Sequence, residues 1–195
     1  MKRHIPNWLT ISRIAVIPVL LALYAYCDTA FRFWALPLFA YAAITDFLDG
    51  YLARKWNVLS DLGRMLDPIA DKLLVGVLLV VLSAEMPILV IPSACILFRE
   101  LMVSGMREFM AARDVTVHVT KLAKWKTTLQ LVSVGVYLFL MGLGQWPTLD
   151  ITPLIAIDTA HHMAYGLFWL TALLTLWTGL NYFTGTLRHL RGPTV

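Results

Sequence analysis

The stretch TDFLDGYLARKWNVLSDLGRMLDPIAD, residues 45–71, sets five of the chain's twelve acidic residues (Asp46, Asp49, Asp61, Asp67 and Asp71) between long apolar runs. Asp46, Asp49, Gly50 and Ala53 recur at i, i+3, i+4 and i+7, which places them on one face of a helix. Asp67 and Asp71 are i and i+4 and share a face of the next helix, where Pro68 is tolerated in the first turn. Two helices that each offer two carboxylates toward the other can hold a pair of hard divalent cations. Carboxylate oxygens suit Mg²⁺ or Mn²⁺, and shared carboxylates set two such ions roughly 3.5–4 Å apart. Four carboxylates at close quarters repel one another unless cations neutralise them, so metal is an electrostatic requirement of the cluster. Gly50 and Ala53, on the aspartate face, and Gly63, before the next helix, leave room for a ligand to approach the backbone. Arg54 beside them can fork onto a phosphate. Asp61 lies outside the pattern and reads as a solvated or capping residue. Lys72 points about 100° away from Asp71 and reads as a snorkelling residue, with a substrate role as the alternative.

The surroundings are those of a membrane protein. Of 195 residues 59% are hydrophobic and 14% charged, and mean hydropathy is +0.72, whereas a soluble domain carries about a quarter charged residues. One compact membrane domain over residues 1–195 is expected, with no signal-peptide cleavage site after the first apolar run. Cys27 and Cys95 are isolated and imply neither a disulfide framework nor a thiolate metal site. Nothing in the composition makes nucleic acid an expected partner.

The expected architecture is all-α with six transmembrane helices, near 12–26, 33–48, 67–83, 87–105, 126–143 and 163–184, after a short basic interfacial segment anchored by Trp8. Each span approaches the length needed to cross about 30 Å of hydrocarbon. With six spans, Lys2, Arg3, Arg54, Lys55, Arg64, Arg107, Arg113, Lys121, Lys124, Lys126, Arg188 and Arg191 share one side. The opposite loops hold Arg32 with Asp28, Glu85, Asp150 and Asp158. The excess of Lys and Arg marks the cytoplasmic side, which then carries both termini and the acidic stretch.

The string D-x2-D-G-x2-A-R-x8-G-x3-D-x3-D, complete as Asp46, Asp49, Gly50, Ala53, Arg54, Gly63, Asp67 and Asp71, resembles the signature of the CDP-alcohol phosphotransferases, integral membrane enzymes of phospholipid synthesis. The resemblance implies that Asp46, Asp49, Asp67 and Asp71 bind metal, that Asp49, Gly50, Ala53, Arg54 and Gly63 bind the CDP moiety, and that Asp71 also takes the proton of the attacking alcohol. That alcohol attacks the phosphorus attached to the lipid of CDP-diacylglycerol, and CMP leaves. A homodimer in a bacterial cytoplasmic membrane, its site facing the cytoplasm, is implied as well.

The motif does not name the acceptor alcohol. Arg99 lies inside the fourth span, about 10 Å from its cytoplasmic end, and must face a polar cavity and find an anion; pairing with Glu100 or with another helix's carboxylate is the plainer alternative. Arg107 lies about 80° round the same helix, and Lys124 and Lys126 line the approach to the fifth span, where Lys121 reads as an ordinary positive-inside anchor. These cations suggest an acceptor that carries its own phosphate. IPNWLTISRI (5–14), REFMAARD (107–114) and LAKWKTTLQLV (122–132), with LDPIADKLLV (66–75), are similar to the phosphatidylglycerophosphate synthase branch of the same family. That similarity implies sn-glycerol 3-phosphate as acceptor. Asn7, Thr10 and Arg13 either help close the site or anchor the chain at the interface. Competing acceptors are inositol phosphate, serine and phosphatidylglycerol. Asp-rich prenyltransferases space their aspartates differently, and a divalent-cation transporter would spread acidic residues over several spans near the midplane. The loop 144–162 has no assigned role, and its paired His161 and His162 lack further ligands nearby in sequence.

Overall fold

A computed structural model describes residues 5–56, 61–113, 121–143 and 157–190. Within these, the side chains of Ala53, Arg54, Asp61, Arg64, Lys121, Lys124 and Arg188 also lie outside what is described, as does loop segment 144–156. Six α-helices account for nearly all of it: α1 Ile5–Tyr26, α2 Asp28–Trp56, α3 Asp61–Glu85, α4 Val90–Ala111, α5 Lys121–Gly142 and α6 Ile157–Leu190, with a 3₁₀ turn at Pro87–Leu89. No strand is present among the described residues.

Every helix runs past its expected apolar span. Ile5–Thr10 is not a separate interfacial segment but the opening turns of α1. Asp46 and Asp49 sit about three and two turns before the end of α2, not at it. α3 begins at Asp61, so Pro68 stands inside the helix instead of in its first turn, at an exposed position. Apolar periodicity marks only the part of a helix in contact with lipid or core, while the backbone stays helical beyond it.

Four helical stretches are long and apolar enough to cross a membrane: Asn7–Tyr26, Asp28–Leu52, Pro87–Ala111 and Asp158–Leu187. α3 and α5 do not reach that measure among the described residues. The first turns of α3 carry Asp67, Asp71 and Lys72, and α5 carries Lys126, Thr127, Thr128 and Gln130 on its first exposed and buried positions.

Cys27 alone separates α1 from α2. Its N–H donates to Leu23 O and its carbonyl accepts from Phe31 N, both at 2.9 Å, and the Tyr24 and Phe31 rings meet edge to face with centroids 5.1 Å apart. α1 packs against both α2 and α3, α4 against α6, and α5 against α6 and α2. A core of Leu20, Phe31, Phe39, Leu78, Leu82, Ile96, Leu138 and Phe168 joins them. At the end remote from the acidic stretch, Arg32 ties the start of α2 to the end of α3, with Nε 2.9 Å from Asp28 Oδ2 and Nη2 2.7 Å from Glu85 Oε2. Several hydroxyls in the apolar helices bond a carbonyl one turn back, as Ser83 Oγ does on Leu79 O at 2.7 Å.

Phe168 has no exposed surface and packs edge to face on Tyr137 between α5 and α6. Phe168→Ala should therefore cost about 3 kcal/mol of stability through lost packing. Thermal unfolding of the purified protein in detergent checks this, and an unchanged midpoint would mean that α5 and α6 are held by something else.

Candidate functional site

The acidic stretch folds as two helices whose carboxylates converge, but not directly on each other. α1 lies against both, and its Arg13 enters between them. Arg13 Nη1 stands 2.7 Å from Asp46 Oδ1 and 2.7 Å from Asp71 Oδ1, and Nη2 pairs with Asp49 Oδ2. The fourth carboxylate joins through Thr10, whose Oγ1 lies 2.8 Å from Asp67 Oδ1 and 3.3 Å from Asp49 Oδ2. Positions along α2 and α3 explain the convergence. Arg32 meets Glu85 at the far end, and matching steps along the antiparallel helices bring Asp46 level with Asp71 and Asp49 level with Asp67.

Burial divides the four. Arg13 is fully buried and Asp49 is 3% exposed, while the side chains of Asp46 and Asp71 are 45% and 51% exposed. Asp49 is thus the innermost of the four and shares Thr10 with the half-buried Asp67, while Asp46 and Asp71 open outward. Gly50 and Gly63 are half-buried near the ends of α2 and α3. The side chains of Ala53 and Arg54 lie outside the described residues.

No three carboxylate, histidine or cysteine side chains among the described residues are grouped as ligands about one point; the guanidinium of Arg13 stands in the middle. The residues nonetheless fit a hard divalent cation. All four donors are carboxylates, a threonine hydroxyl adds another oxygen, and the cluster has drawn in the positive charge of Arg13, as uncompensated carboxylates must.

A second polar cluster joins α4, α5 and α6. Lys126 Nζ donates to Glu100 Oε1, and Arg99 Nη1 lies 3.5 Å from the same oxygen. Arg99 Nη2 reaches Thr178 Oγ1 at 3.4 Å. Arg99 and Lys126 are 7% and 3% exposed. Gly179 makes the seat for Arg99: a Cβ there would come within 2.6 Å of Arg99 Cγ, so any side chain would displace the arginine. Arg99 thus pairs with Glu100, the plainer of its two readings, and shares that carboxylate with Lys126, two cations to one anion. Arg107 is exposed two turns further along α4, and the side chain of Lys124 lies outside the described residues. Lys72, expected to snorkel, is half-buried and donates from Nζ to Ser104 Oγ of α4, so it links the acidic half of the protein to the basic half.

Arg13 and Thr10 carry more of the site than their sequence context promised. Their signal was the spacing of Asn7, Thr10 and Arg13, three residues apart on one helix face. Thr178 and Gly179 gave none, because small residues are common in any membrane helix. Arg13→Met leaves buried Asp49 without its partner and should cost about 3 kcal/mol of stability in EDTA. Mg²⁺ or Mn²⁺ should restore part of that loss, and a melting temperature indifferent both to the substitution and to the ion would disprove the electrostatic account of the cluster.

The CDP-alcohol phosphatidyltransferase family model matches residues 3–177. A CDP-diacylglycerol–glycerol-3-phosphate 3-phosphatidyltransferase of Rickettsia bellii is 42% identical over 183 residues, covering 94% of this chain and 95% of its own. Proteins of the same name from Cereibacter sphaeroides and Shigella flexneri are 38% and 33% identical, covering 98% and 94% of this chain and 99% and 95% of their own. The crystal structure of Mycobacterium tuberculosis phosphatidylinositol phosphate synthase with CDP-DAG bound superposes with a TM-score of 0.58 at 17% identity, over 93% of this chain and 85% of that one. That likeness is one of fold.

Proposed function

The chain belongs to the CDP-alcohol phosphatidyltransferase family, and on that premise we propose that it transfers the phosphatidyl group of CDP-diacylglycerol to sn-glycerol 3-phosphate, giving phosphatidylglycerophosphate and CMP. The observation that carries the reading is the convergence of Asp46, Asp49 and Asp71 on one buried cationic group, with Asp67 tied in through Thr10. The acceptor rests on chain-long identity to relatives named for glycerol 3-phosphate, and on two buried cations that share one carboxylate.

Asp46, Asp49, Asp67 and Asp71 are the residues that would hold Mg²⁺ or Mn²⁺, as two ions. Bound there, the metal supplies positive charge against the diphosphate and the charge that builds on the transferring group. Asp49, Gly50, Ala53, Arg54 and Gly63 take the CDP moiety: the small residues leave space and the guanidinium holds phosphate charge. Arg99, Arg107, Lys124 and Lys126 hold the acceptor's phosphate. Asp71, half exposed at the mouth of the cluster, takes the proton from the acceptor hydroxyl as its oxygen bonds to the lipid-linked phosphorus. The bond from that phosphorus to CMP breaks, and CMP leaves with the electron pair.

The proposed setting is one membrane domain over residues 1–195 with six spans, α3 and α5 crossing as inner helices shielded by the other four. Both termini and the acidic cluster face the cytoplasm of a bacterial inner membrane, and the protein is a homodimer. A site open sideways lets the acyl chains stay in the bilayer while the head group enters.

Incubation with CDP-diacylglycerol, Mg²⁺ and labelled sn-glycerol 3-phosphate should carry label into lipid with release of CMP, and Asp71→Asn should lower the rate by at least about a hundredfold. Release of CMP with serine, inositol phosphate or phosphatidylglycerol alone would keep the chemistry and change the acceptor. No CMP with any alcohol would remove the enzyme reading.

Topology has a native probe. Cys27 is exposed at the α1–α2 joint and, with six spans and a cytoplasmic N-terminus, faces outward. A membrane-impermeant maleimide should label it in intact spheroplasts; labelling only after lysis would invert the proposed orientation.

A further inference from the structure

Two contacts fix how α5 runs past α6. Ser133 Oγ lies 2.7 Å from Thr171 Oγ1, and the Tyr137 and Phe168 rings meet with centroids 5.4 Å apart. As residue numbers rise on one helix they fall on the other, so the pair is antiparallel. One turn from the Ser133–Thr171 contact, Gln130 and Thr175 stand level with each other, and one turn beyond them Lys126 stands level with Thr178 and Gly179. Arg99 meets that last level, against Gly179 and within 3.4 Å of Thr178. The polar residues therefore stack in three levels: the Arg99–Glu100–Lys126 charges, then Gln130 and Thr175, then the closed Ser133–Thr171 pair.

The upper two levels hold buried polar atoms that nothing among the described residues satisfies. Arg99 Nε, Gln130 Oε1 and Thr175 Oγ1 have no hydrogen-bond partner there, in side chains belonging to residues 7%, 5% and 0% exposed. Thr175 is no ordinary membrane threonine. Thr171, Thr178 and Thr186 on the same helix each bond a carbonyl three or four residues back, to Leu167, Thr175 and Tyr182; Thr175 does not. Each orphaned group is costly in an apolar interior, and proteins keep few of them.

Their chemistry says what completes them. Gln130 Oε1 is an acceptor and needs a donor, which a phosphate does not bring. Arg99 Nε–H is a donor and needs an acceptor. Thr175 can serve either way. A neutral alcohol hydroxyl suits each of these demands, as it both donates and accepts. We propose that Gln130 and Thr175, together with Arg99 Nε, form a subsite that reads the acceptor's second, non-reacting hydroxyl and so selects a polyol phosphate over a phosphate ester whose only hydroxyl is the reacting one. The proposal rests on the acceptor assignment given above.

The test compares sn-glycerol 3-phosphate with 3-hydroxypropyl phosphate, which keeps the reacting hydroxyl and the phosphate but lacks the middle hydroxyl. CMP release is followed for the wild-type protein and for Gln130→Met and Thr175→Val. The wild type should favour glycerol 3-phosphate in kcat/KM by about tenfold or more, since a site built to bond a hydroxyl rejects the analogue without it. Each variant should lose most of that preference while turning over 3-hydroxypropyl phosphate within about twofold of the wild type, the change falling in the pairing of residue with hydroxyl. An equal fall with both acceptors would mean a purely structural role and would overturn the subsite, as would a preference unchanged by either substitution. If the wild type uses neither phosphate but another alcohol supports CMP release, the acceptor assignment fails and the subsite falls with it, a result distinct from the first two.

Discussion

The pairing of one buried arginine with the carboxylates of two other helices is the constraint on which the structure turns. Asp46, Asp49, Asp67 and Asp71 would drive α2 and α3 apart if nothing offset their charge. Arg13 touches three of them, and Thr10 one turn earlier touches the fourth. α1 is thereby fixed between α2 and α3 at the polar end, while Arg32 closes the opposite end of α2 and α3. The apolar core between these ends packs inside a frame set by charge. In a bilayer this ordering is expected, because lipid gives helices little hydrophobic reason to associate and specific polar contacts decide who packs on whom.

The molecule divides its charges between two halves. Helices α1–α3 carry the carboxylates, and α4–α6 carry Arg99 and Lys126 around a single Glu100. Lys72 reaches across from the residue next to Asp71 to Ser104 on α4. An anionic cluster is suited to cations, and a cationic one to anions. The proposed transfer between a diphosphate-linked lipid and an alcohol that carries a phosphate makes use of both.

The interior holds polar groups bonded within the fold and others with no partner among the described residues. Ser83, Ser133, Thr171, Thr178 and Thr186 bond to carbonyls on their own helices, and in a medium without water these bonds are part of the scaffold. Arg99 Nε, Gln130 Oε1 and Thr175 Oγ1 are different. They lie next to the cationic cluster, near Thr171 and Thr178, whose hydroxyls bond carbonyls of their own helix. Gly179 shows how closely this region is fitted, since even a methyl group there would collide with the arginine.

By itself the sequence determined the fold class, the family and the four aspartates. Helical phase and fixed spacing are local properties, and an acidic motif in an apolar chain is conspicuous. It placed the helix ends short, because apolar runs end where lipid contact ends and hydrogen-bonded backbone continues past that point, as at Ile5 and Asp61. Tertiary structure alone decided that Arg13 stands among the carboxylates, that Glu100 is shared by Arg99 and Lys126, and that Gly179 seats the arginine. Partners tens of residues apart in the chain, such as Arg13 and Asp71 or Arg99 and Thr178, have no signature in local periodicity. Their meeting depends on how the helices pack, and packing is set by the summed shape and charge of all six.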